Sequence, residues 1–244
     1  MTPVLIHTLF EMVAYSVGFR LFLRERRRLA LPALGNREHS LAIAVGAIVG
    51  AALGAKIAYW LYDPAYAFSA FPDLRHLLEG KSIIGALLGG LVGVELAKRL
   101  DGIRSSSGDA FVWPLMLGMA IGRIGCFLSG LNDHTAGNPT ALPWAVDFGD
   151  GVPRHPTQLY EILFLGLCAL LLHSRGARLQ QGGDGFRVFL IGYLLYRLAI
   201  EAIRPIPVYY LGLLSGLQLL CVAGLLYYAR DIPRLTRELL WVPR

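Results

Sequence analysis

Apolar positions along this 244-residue chain gather into long runs separated by short polar stretches. Seven runs stand out: Val4 to Leu23, Leu41 to Tyr62, Ile83 to Ala97, Ala110 to Leu128, Gln158 to Leu172, Val188 to Ile203 and Val208 to Ala229. A helix needs about 20 apolar residues to cross a hydrocarbon core of about 30 Å. The pattern therefore predicts an all-α integral membrane protein with seven transmembrane helices, in one domain over residues 1–244. Basic residues follow the first run rather than precede it, and no small-residue cleavage site appears, so that run is read as a helix and not as a signal peptide.

Two connecting segments are longer than the rest. Residues 63–82, "DPAYAFSAFPDLRHLLEGKS", mix aromatic and charged positions and suit a segment at headgroup level. Residues 129–157 are rich in glycine, proline and aspartate, and within them "LPWAVDFGDG" alternates and then meets a turn signal. That predicts a small hairpin outside the membrane. In the third run Gly85, Ala86, Gly89, Gly90 and Gly93 form a small-xxx-small stripe. It suits close helix contact, or a groove that admits a lipid chain.

Composition agrees with the pattern: mean hydropathy is +0.52 and only 16% of residues are charged, well below the share in a soluble domain. The net charge of +6 raises nucleic acid as a partner, and its distribution removes it. With seven spans, fifteen loop and tail lysines and arginines fall on one side and four (Arg75, Lys81, Arg154 and Arg204) on the other. Such asymmetry reports orientation, so the N-terminus is expected outside and the C-terminus in the cytoplasm. Cys126, Cys168 and Cys221 have no CxxC spacing and no ligand cluster in sequence, so neither disulfide nor metal is expected.

Charges inside the runs carry the functional signal. Lys56, Arg123, Glu161, Arg197, Glu201 and Arg204 all fall where an ionised side chain is costly and must pair or face a polar cavity. Arg197, Glu201 and Arg204 follow i, i+4, i+7 spacing and are expected on one helix face, continued by Tyr193. One glutamate there cannot balance so many cations. The excess points to an anion, and in a membrane a lipid phosphate fits the planar arginine fork. From the residues alone the reading reaches a membrane site for an anionic lipid.

Several stretches resemble the prolipoprotein diacylglyceryl transferase family. "GAKIAYWLY" (54–62), "GRIGCF" (122–127), "GNPTALPWAV" (137–146), "RHPTQLYE" (154–161) and "YRLAIEAIRP" (196–205) are similar, in order, to that family's motifs. The resemblance implies a bacterial inner-membrane enzyme that moves a diacylglyceryl group from phosphatidylglycerol to the lipobox cysteine of an exported prolipoprotein. Glycerol 1-phosphate leaves, and no cofactor takes part. It implies catalytic roles for Arg123 and Arg204 at the leaving phosphate, with Glu201 as an orienting residue. It also implies a substrate-binding set of Lys56, Tyr15, Cys126, Ser129, Gly137, Arg154, Gln158, Tyr160, Glu161 and Arg197.

The sequence departs from the family at Ile84, where the family carries a catalytic histidine. Cys126 and Ser129 replace signature asparagines, and Lys56 replaces an arginine. A substitute base is therefore expected, His155 first and His134 second, since histidine titrates near neutrality. The departures leave two alternatives open: a homologue that binds anionic lipid without catalysis, and a transferase with a different acceptor.

Overall fold

The computed structural model describes residues 2–69, 80–210 and 212–240. Among these the chain is mostly helical: α1 (Pro3–Leu29), α2 (Arg37–Tyr62), α3 (Pro64–Phe68), α4 (Ile83–Leu100), α5 (Asp109–Ser129), α6 (Thr157–Arg175), α7 (Asp184–Ile200), α8 (Gly216–Tyr227) and α9 (Ile232–Leu240). Half of the outer segment expected at 63–82, including Arg75, lies outside the described residues.

Four helices are long and apolar enough to cross a membrane, beginning at Pro3, Arg37, Asp109 and Thr157. The other three expected spans fall on shorter or more charged helices. The 18 residues of α4 include Glu95, Lys98 and Arg99, and α7 has 17 residues. The last run is only partly helical, because Tyr209–Tyr210 (β3) pairs with Leu214–Ser215 (β4) before α8 begins. The 12 residues of α8 rise about 18 Å, less than a hydrocarbon core. Its start is fixed by a capping box between Ser215 and Gln218.

Two antiparallel helix pairs frame the bundle. Gly46, Gly50 and Gly54 of α2 face Gly93, Gly89 and Gly85 of α4 so closely that a Cβ on Gly50 or Gly54 would overlap a carbonyl oxygen across the seam. The Gly85, Gly89 and Gly93 positions of the stripe are thus filled by a neighbouring backbone, while Ala86 and Gly90 line a cavity together with Ala47 and Ala51 of α2. α1 runs against α5 in the same manner, with Phe10 on Gly125 and Ala14 beside Gly118.

Between these pairs α4 to α8 bury a core that includes Ile84, Met116, Leu165, Phe189, Leu194 and Cys221. Cys126, Cys168 and Cys221 are all free and buried. On the side expected to be cytoplasmic, α9 is held against α7. Arg234 of α9 grips Asp184 with both terminal nitrogens at 2.7 Å, while Leu235 and Leu239 are buried.

The expected hairpin forms outside the bundle. Val146–Asp147 (β1) pairs antiparallel with Pro153–Arg154 (β2). Asp147 shapes the turn, its Oδ1 accepting from the backbone N–H groups of Gly149, Asp150 and Gly151 at 2.8–3.1 Å.

Candidate functional site

The outer loop positions the site by backbone contacts. Gly137 N–H donates to His155 O at 2.9 Å, Asn138 N–H to Ile203 O at 2.8 Å, and His155 N–H to Asn138 O at 3.1 Å. These bonds tie residues 137–140 to the start of α6 and to the turn after α7. Gly137 permits the approach: a Cβ there would stand 2.7 Å from His155 Cβ and 2.8 Å from Ile203 O. Three segments distant in sequence thereby meet at one end of the bundle.

A charged cluster lies beneath that loop. Arg123, late in α5, places Nε 2.9 Å from Glu161 Oε1, and the same oxygen accepts from Tyr193 OH at 2.9 Å. Arg197 places Nη2 3.0 Å from Glu201 Oε2. Glu161, Arg197, Glu201 and Arg204 are all buried. The expectation that Arg197, Glu201 and Arg204 share a helix face is corrected at its last member. α7 ends at Ile200, Glu201–Ile203 tightens into a 3-10 turn, and Arg204 takes extended backbone. Pro205 is the reason, since the residue before proline is driven out of helical geometry.

Glu161 and Glu201 thus take Arg123 and Arg197, and the charge balance comes down to Arg204. The residue is 9% exposed, and its described contact is a long one, Nη2 to His134 O at 3.5 Å. Among the described residues its Nε has no hydrogen-bond partner and no carboxylate lies in ion-pair range. It stands within electrostatic reach of Arg197, Arg123, Glu201 and Tyr62. A buried cation without its own carboxylate, crowded by two others, is an arrangement that an anion would complete.

The remaining sequence candidates divide. Gln158 is buried, donates to Thr135 Oγ1 at 3.0 Å and leaves its own carbonyl oxygen unpartnered among the described residues. Cys126 Sγ lies 3.8 Å from Arg123 Nη1. His155 Nδ1 is 3.3 Å from Tyr160 OH, which accepts from Trp144 Nε1 at 2.7 Å. Others are engaged elsewhere. Arg154 turns to Asp150 at 2.7 Å and Lys56 donates to Gly80 O at 2.7 Å. Tyr15 donates to Glu11 at 2.8 Å, and the Ser129 hydroxyl is held between Gly125 O and Pro3 O. At the hairpin, the Arg154 guanidinium donating to Asp150 holds that carboxyl below the usual range. Ile84 is wholly enclosed in the apolar core.

Sequence reasoning missed three side chains on the near side of the cluster. His7 Nδ1 lies 3.0 Å from Asp133 Oδ1, and His7 Nε2 lies 3.9 Å from Glu11 Oε2. The signal was present in helix periodicity: Pro3, His7, Phe10, Ala14 and Gly18 form one stripe of α1, the stripe that meets α5.

Fold and cluster together define an all-helical integral membrane protein with a buried, mostly cationic centre at one end of its bundle. The family model described as prolipoprotein diacylglyceryl transferase matches residues 2–229. The chain belongs to that family. Three relatives carry the name phosphatidylglycerol–prolipoprotein diacylglyceryl transferase. One from Bordetella parapertussis is 36% identical over 176 residues, 69% of this chain and 66% of that protein. One from Methylococcus capsulatus is 35% identical over 199 residues, 75% of this chain and 71% of the relative. A third, from Aromatoleum aromaticum, is 33% identical over 270 aligned positions, 94% of this chain and 99% of the relative. The Bordetella match spans just under two thirds of that protein's length.

Proposed function

We propose that this protein transfers the diacylglyceryl group of phosphatidylglycerol to the lipobox cysteine thiol of an exported prolipoprotein, releasing glycerol 1-phosphate. The observation that carries the proposal is Arg204, a buried guanidinium without a carboxylate partner among the described residues, beside Arg123 and Arg197. Cleavage of the C–O bond puts a further negative charge on the departing phosphate monoester. Donors fixed beforehand around that position stabilise the transition state more than the ground state. Arg204 is the principal clamp. Arg123, held at Nε by Glu161 and with Nη1 3.8 Å from Cys126 Sγ, adds its charge at the same phosphate, and Glu201 orients Arg197. Gln158 and Tyr160 line the approach, and Gly137 lets the outer loop close over it.

In this reading the chain crosses a bacterial inner membrane seven times, with the N-terminus outside and the C-terminus in the cytoplasm. α4, α7 and the last run, made of α8 with the β3–β4 turn before it, complete the spans, with the charged ends of α4 and α7 at the cytoplasmic surface. That orientation puts the cationic centre at the outer leaflet, where exported acceptors arrive.

The test uses the purified full-length chain with glycerol-labelled phosphatidylglycerol and a lipobox peptide, following label on the peptide and release of glycerol phosphate. Both products form with the wild type, and Arg204→Ala slows them by at least about 100-fold, the effect of removing one donor from a charge-stabilising site. If neither product forms while lipid still binds in an Arg204-dependent manner, the protein is a lipid binder and the transfer reading fails.

A further inference from the structure

We infer that His7, oriented by Asp133, is the proton acceptor for the incoming thiol, in place of the histidine that Ile84 displaces. The inference rests on the transferase reading above. It starts from a requirement: thiolate is the nucleophile, so a base must receive the thiol proton near the phosphate clamp. Ile84 cannot serve, being apolar and enclosed in the core.

Four described features single out His7. Its Nδ1 is buried, 3.0 Å from Asp133 Oδ1, with no aligned hydrogen-bond partner among the described residues. Such bonds are often poorly aligned before substrate arrives and tighten in the complex. Its side chain is 31% exposed, and the second nitrogen, Nε2, lies 3.9 Å from Glu11 Oε2, beyond hydrogen-bond distance. The carboxylate is itself held, because Thr135 Oγ1 donates to Asp133 Oδ2. Finally, Cys126 Sγ lies within 4.8 Å of the His7 and Asp133 ligand atoms and 3.8 Å from Arg123 Nη1, so the imidazole and the arginine cluster are neighbours across one side chain. His155 and His134 lack this arrangement. His155 shares Tyr160, and neither has an ion-paired carboxylate among the described residues.

The step balances without another reactant. The thiol proton passes to His7 Nε2 as Nδ1–H comes into line with Asp133, 3.0 Å away. The thiolate sulfur forms a bond to the terminal glyceryl carbon, and the C–O bond to phosphate breaks with its electron pair going to oxygen. His7 then returns the proton to the departing phosphate monoester or to water. The charged groups facing His7 are Asp133 and Glu11, with Lys81 paired to Glu11 and Arg123 beyond Cys126.

His7, Cys126 and Asp133 are also residue types that can hold a divalent cation. The guanidinium 3.8 Å from Cys126 Sγ opposes that occupant by like-charge repulsion.

The experiment extends the labelled-lipid assay to His7→Ala and Asp133→Asn, with thermal stability and lipid binding measured on the same samples. His7→Ala is expected to lose about 100-fold or more in turnover at neutral pH, to bind phosphatidylglycerol as the wild type does, and to regain activity on adding imidazole. Asp133→Asn loses less turnover, and it too binds phosphatidylglycerol as the wild type does. The inference is overturned if His7→Ala retains turnover within about three-fold, since a base is worth more than that. It is also overturned if lipid binding and stability fall in step with activity and imidazole restores nothing. Inactivation of the wild type by a chelator, reversed by zinc, overturns it in favour of a cation. An inactive wild type overturns the transferase reading itself, so the two failures are told apart.

Discussion

Replacing Glu161 by glutamine tests how the bundle tolerates a cation. Glu161 is 2% exposed, and one of its oxygens takes both Arg123 Nε and Tyr193 OH at 2.9 Å. At that separation the Coulomb attraction is about 6 kcal/mol with an effective dielectric of about 20. Desolvation of both ions offsets much of it, and breaking a buried pair by removing one partner costs about 3–5 kcal/mol. Glutamine keeps the shape and an acceptor for Tyr193 but removes the charge. Glu161→Gln is therefore expected to lower stability by about 3 kcal/mol, and thermal unfolding in detergent by roughly 6–12 °C for a chain of this size. Tyr193→Phe, which removes one hydrogen bond, costs only about 1 kcal/mol. In a double-mutant cycle with Arg123→Met the two losses are strongly non-additive, because the paired charges go together. If Glu161→Gln unfolds within 1–2 °C of the wild type, the reasoning that Arg123 needs this carboxylate is refuted.

Other consequences are as direct. Gly89→Val at the α2–α4 seam would drive a side chain into the Gly50 carbonyl, costing about 3 kcal/mol as overpacking does; Gly166→Ala in α6, where a Cβ meets nothing within 4 Å, leaves thermal unfolding unchanged or slightly raised. Asp184→Asn breaks the grip on Arg234 and frees α9, read as faster proteolysis of the C-terminal segment in otherwise intact protein. Burial alone would raise the Asp184 carboxyl, but the hydrogen bonds from Arg234 and Arg187 outweigh it and hold it below its usual range. A depressed folded value contributes stability above the unfolded carboxylate value of about 3.9 and loses it as pH falls through the lower folded value. α9 is thus expected to stay docked across neutral pH and to loosen only below about pH 4 in the wild type.

The apolar runs determined the helices, and with them the membrane class, because the hydrocarbon core demands length and apolarity that few other structures share. The motif order marked Arg123, Glu161, Arg197, Glu201 and Arg204 as candidates before any contact was known, and the structure brings them together at one end of the bundle. Turn chemistry in "LPWAVDFGDG" announced the hairpin, since aspartate and glycine make that turn by local backbone bonds alone. Partner choice was not legible. That Glu161 takes Arg123, that Glu201 takes Arg197 and that Arg204 is left over depends on how α5, α6 and α7 pack side by side. Each run shows only its own charges. The glycine stripe of the third run could be read as groove or seam until α2 lay across it. Pro205 bent Arg204 off the helix face that its spacing implied. His7, a lone histidine near the start of a helix, gained meaning only when the antiparallel packing of α1 on α5 brought it to Asp133, 126 positions along the chain. Such pairings are set by three-dimensional packing between distant segments, and local periodicity does not encode them.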